Sequence, residues 1–116
     1  MIIDAENTFF YKHDLTGGVT SNVLANGEGG CAYEGLWICA MVNKALSADA
    51  VLEVKTSDKE DMSDAVLLAT LKVEKDEGKG ANLRMPLGLK KYIRIEVTGA
   101  TTGTITAFLT PDVNLQ

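Results

Sequence analysis

Residues 89–113, LKKYIRIEVTGATTGTITAFLTPDV, alternate between apolar and polar positions on either side of a Gly/Thr turn. In the first half Ile93, Ile95 and Val97 share one face, and Tyr92, Arg94 and Glu96 share the other. In the second half Ile105, Ala107 and Leu109 alternate with Thr104, Thr106, Phe108 and Thr110. A period of two marks β-strands with one buried face. Residues 99–103 supply turn chemistry, so the pair reads as the closing hairpin of an antiparallel sandwich.

The upstream pattern has the same character. Residues 50–57 set Leu52, Val54 and Thr56 against Val51, Glu53 and Lys55. Residues 36–43, LWICAMVN, are apolar on both faces, as in a central strand. Residues 65–73 have helix propensity, but the even spacing of Leu67, Ala69, Leu71 and Val73 favours a strand. Residues 82–87 form a strand that Pro86 confines to an edge or an end. Residues 19–24 are a short strand candidate, and 26–33, 58–64 and 74–81 are loops. Residues 1–15 show no clear period and read as an extended arm with a short strand or turn, carrying the aromatic cluster TFFY. Seven or eight short strands with turns at roughly 8–12-residue intervals are the spacing of a sandwich or barrel. The expectation is one all-β domain over 1–116, an antiparallel β-sandwich with little helix and an arm of about residues 1–15. Its core includes Ile93, Ile95, Val97, Ile105 and Leu109.

Composition narrows the functional classes. The 116 residues, 46% hydrophobic, are one domain able to bury a core without disulfides. A net charge of −5 opposes the basic footprint that binds phosphates, so nucleic acid is not an expected partner. No apolar run approaches the roughly 20 residues of a membrane span. The opening MIIDAE is too short and too acidic for a signal peptide, which points to synthesis in a reducing cytoplasm. Cys31 and Cys39 lack the four-ligand spacing of structural zinc. Cys39, inside an apolar run, reads as a small buried hydrophobe, with a disulfide or metal pair as the alternative.

Catalytic chemistry has no foothold in the pattern. His13 precedes Asp14, but neighbours on an extended chain point to opposite sides and form no dyad. The acidic loop 58–64 lacks the glycine and the carboxylate spacing of a calcium loop. Gly27, Gly29 and Gly30 do not sit between a strand and a helix, so they form no phosphate cradle. No catalytic, metal or cofactor residue is expected. The faces opposite the core, however, carry Trp37, Met41, Tyr92 and Phe108. Either these aromatic positions form a partner surface, or both faces are packed within the sandwich.

Four segments together resemble the small capsid cement, or decoration, proteins of tailed bacteriophages. They are the opening MIIDAEN, residues 52–58 (LEVKTSD), residues 86–95 (PLGLKKYIRI) and residues 102–109 (TGTITAFL). The segments span nearly the whole chain. Residues 31–37 and the lysine-rich turn 75–79 depart from the family pattern. The resemblance implies a jelly-roll on the exterior of a phage shell, made in the bacterial host cytoplasm. It implies a homotrimer that clamps major capsid protein subunits and has no enzyme activity. Candidate partner-binding residues are Phe9, Phe10 and Tyr11 in the arm, with Trp37, Tyr92, Arg94 and Phe108 on the strands. The competing reading is a carbohydrate-binding β-sandwich module, in which Trp37 or Tyr92 would serve as the aromatic platform.

Overall fold

The computed structural model describes residues 8–25, 36–85 and 88–110. The described residues form eight strands: β1 Thr8–Asp14, β2 Leu24–Ala25, β3 Trp37–Lys44, β4 Ala50–Ser57, β5 Val66–Val73, β6 Gly80–Arg84, β7 Tyr92–Thr98 and β8 Thr104–Thr110. A 3-10 turn, Leu15–Gly17, follows β1, and the Asp14 carboxylate caps it by accepting from the Thr16 amide. The strands pair antiparallel in two four-stranded sheets, ordered β1-β8-β3-β6 and β2-β7-β4-β5. This is the eight-stranded jelly-roll arrangement.

The alternation in the sequence marks the inner faces. Ala50, Leu52, Val54 and Thr56 of β4 and Ile93, Ile95 and Val97 of β7 are buried. Across the interior they meet Ile38, Ala40 and Val42 of β3 and Ile105, Ala107 and Leu109 of β8 in one apolar cluster. Thr56 is tolerated there because its hydroxyl donates to the Tyr92 carbonyl and accepts from the Lys90 amide, both at 2.8 Å.

Strands β7 and β8 are not a hairpin. β7 pairs with β2 and β4, whereas β8 pairs with β1 and β3 in the opposite sheet. The 99–103 link therefore crosses between sheets. It is tied to the 45–49 link, Ser47 N–H donating to Thr102 O and Thr101 N–H to Ser47 Oγ. Gly103 (φ +111°) has no room for a side chain: a Cβ would lie 2.6 Å from Leu46 Cδ2 and 2.7 Å from Ala45 O. Periodicity reports which side of a strand is buried, but not which strand lies beside it.

The second correction concerns the arm. Residues 8–14 are a full strand on β8, with Phe9 and Phe10 buried in the core. Two register irregularities against β8 and the positive φ of Lys12 (44°) break the alternation, which hid the strand in the sequence. Lys12 N–H donates to Thr106 Oγ1, whose hydroxyl donates to Asn43 Oδ1. In β5 a bulge opposite Val54 and Lys55 shifts the parity. Leu68 packs against the core, and Leu67, expected inside, is 55% exposed. Cys31, Pro86, the first half of the arm and the whole of the 26–33 loop lie outside the described residues.

Candidate functional site

The structure divides the seven proposed partner-binding residues. Phe9, Phe10 and Phe108 are 1%, 3% and 2% exposed, so none offers a surface to a partner. Phe108 does stand opposite the core-facing Ile105, Ala107 and Leu109. However, β8 runs between β1 and β3 in the middle of its sheet, and Thr106 and Thr110 beside it are buried as well. Cys39, its cross-strand neighbour on β3, is also buried. Trp37 and Met41 are half-buried on that face. Tyr11, Tyr92 and Arg94 are the other candidates that solvent reaches.

Tyr11 is 60% exposed on the edge strand β1, with Lys12 Nζ 5.5 Å from its ring centre. It borders a cleft of about 280 Å³ between β1 and the 20–22 segment, lined also by Phe9, Phe10, His13, Thr20, Ser21 and Asn22. The His13 ring stacks on Phe10 with centres 5.0 Å apart, and its Nε2–H donates to Gly18 O at 2.7 Å. Asp14 accepts instead from Thr16 N–H and Oγ1–H, and these bonds hold its carboxyl below the usual carboxylate range. The adjacent His13 and Asp14 thus serve different local contacts.

Tyr92 and Arg94 lie on the outer face of the second sheet. Register sets Lys55 opposite Arg94 and Glu53 opposite Glu96, two like-charged pairs. The repulsion is relieved by Glu96, which sits 2.5 Å from Lys55 Nζ and 2.9 Å from Arg94. The Lys55 hydrogen bond is the main cause holding the Glu96 carboxyl below its usual range, and Arg94 reinforces it. Arg94 Nε is buried without a hydrogen-bond partner. The ladder is a half-buried charged surface suited to docking and lacks an acid–base pair of opposed character.

The acidic loop after β4 satisfies itself. Asp64 accepts from Ser57 Oγ, Asp61 accepts from Ser63 N–H, and Met62, in left-handed conformation, is buried beneath them. Among the described residues no group of three His, Cys, Asp or Glu side chains is placed to hold a metal ion, and no helix is long and apolar enough to cross a membrane.

Sequence reasoning missed Val66 and Leu67, which are 47% and 55% exposed at the start of β5. Their apolar character was visible. The bulge that turns Leu67 outward has no signature in the residue types. No protein-family model and no curated protein matches this chain.

Proposed function

We propose that this chain is a structural cement protein that decorates the exterior of a phage shell and reinforces contacts between major capsid subunits. The observation that carries the reading is the resemblance of four segments, in order, across nearly the whole chain. The eight-stranded jelly-roll supports it at the level of fold, an architecture that viral capsid proteins share with lectins and cupins. The surface chemistry agrees. The accessible candidates are the aromatic and arginine side chains of Tyr11, Trp37, Tyr92 and Arg94, types enriched where proteins dock.

Cement of this kind recognises a surface that exists only when shell subunits are neighbours. Each copy adds a modest contact, and an oligomer multiplies it through effective concentration. The resemblance implies a homotrimer, and the proposal includes it. The test is co-sedimentation of purified protein with assembled, undecorated shells of its phage and, separately, with free capsid subunits. Stoichiometric binding to shells and none to subunits is the expected result. Failure to decorate shells would overturn the reading.

A further inference from the structure

We propose that the free edge of β5 is a self-association surface, where a second copy of this chain adds its own β5 antiparallel to form a continuous eight-stranded sheet. The argument compares the four sheet edges. An edge strand exposes unpaired backbone groups, and proteins that avoid edge pairing blunt such strands with bulges, charges, glycine or brevity. Three of the edges here are blunted. β1 carries two register irregularities and the left-handed Lys12. β2 is two residues long. β6 is five residues long, opens on Gly80 and ends on Arg84.

β5 is the longest of the four edge strands and the least blunted, with one bulge near its start and Lys72 as its one charge. Its eight residues, VLLATLKV, contain one charge and neither glycine nor proline. Among the described residues β4 is its only strand partner. The bulge near its start turns Leu67 outward beside Val66, the two most exposed aliphatic side chains on the described strands.

The composition of the strand favours another copy of itself as occupant. Lys72 lies near one end, and Val66 and Leu67 near the other. An antiparallel pair therefore sets each lysine beside the partner's apolar end. With Lys72 opposite the partner's Leu67, the two lysines stand roughly 17 Å apart at about 3.4 Å per residue, beyond the Debye length of about 8 Å at physiological salt. A parallel pair would bring them together. One strand meeting its own copy antiparallel is an isologous, twofold contact. It is separate from the threefold contact of the cement reading, which needs two different patches.

Sedimentation equilibrium of the full chain and of Leu67→Lys, each at micromolar to millimolar concentration, tests the pairing. Wild type should occur as a dimer, or as a hexamer where a trimer also forms. Leu67→Lys should halve that mass to monomer or trimer, with an unchanged circular dichroism spectrum. Amide exchange provides a readout without a substitution: the alternate β5 amides that β4 does not engage should be slow at millimolar and fast at low micromolar concentration. A wild-type mass of one or three chains, with those amides fast throughout, would overturn the pairing and leave the cement reading standing. Protection of those amides only on assembled shells would also overturn it, because the occupant would then be a capsid strand.

Discussion

Ile95 has no exposed surface and sits among the inner faces of both sheets. Truncation to alanine there should cost about 2–5 kcal/mol in urea melts. Glu96, its neighbour on the outward face, tests electrostatics instead. The Lys55 hydrogen bond and the nearby charges favour ionised Glu96 in the folded chain, below its ordinary pKa of 4.5. The unfolded chain then binds the proton more readily, so the stabilisation is complete above that ordinary value. It fades as pH falls through the lower, folded value. Wild type should exceed Glu96→Gln in stability by roughly 0.2–1 kcal/mol at pH 7. The gap should shrink steadily below about pH 4.5 in melts across that range. Both residues were placed on their correct faces by a period of two. The charge network was not legible, because it depends on which strand lies beside β7.

At the scale of the element, legibility followed regularity. β4 was read at its full length, and β3, β5 and β8 came within a residue or two; β3, β4 and β8 are rich in residue types that favour extended backbone, whereas β5 was read from its spacing against its helix propensity. β1 was read as an arm because a bulge and a left-handed lysine destroy the alternation while the side chains still reach the core. The same error made Phe9 and Phe10 look like contact residues, since apolar character alone does not distinguish a docking side chain from a buried one. A sharp consequence concerns truncation. An arm can be removed at no cost to the sandwich, whereas deletion of residues 1–10 takes two buried phenylalanines and uncovers one side of β8. Phenylalanine truncations in packed cores cost about 3–5 kcal/mol each. This approaches or exceeds the stability of a typical domain. The truncated chain should lose its cooperative thermal transition by circular dichroism. A transition within a few degrees of wild type would show that β1 does not hold the fold.

Across the whole molecule, the two sheets are interleaved along the chain. β1, β3, β6 and β8 build one sheet and β2, β4, β5 and β7 the other. Every link between successive strands therefore changes sheet, except the one joining β4 to β5. Among the described residues that link closes the single hairpin between successive strands, and the remaining pairings join segments distant in sequence, such as β1 with β8. Neither sheet can form from one continuous piece of chain, so neither is a plausible independent unit. The loop-closure entropy of the long-range pairings must be met before their burial is gained, which places folding in the millisecond-to-second range typical of all-β sandwiches. Stopped-flow refolding should be slow on that scale. Equilibrium unfolding followed by Trp37 fluorescence, which reports the first sheet, should coincide with far-ultraviolet circular dichroism, which reports both. Tyr92 on the second sheet supplies the internal check. The part of the near-ultraviolet tyrosine signal lost in Tyr92→Phe should vanish at the same denaturant concentration as the Trp37 signal, and separate midpoints would mean that one sheet persists without the other.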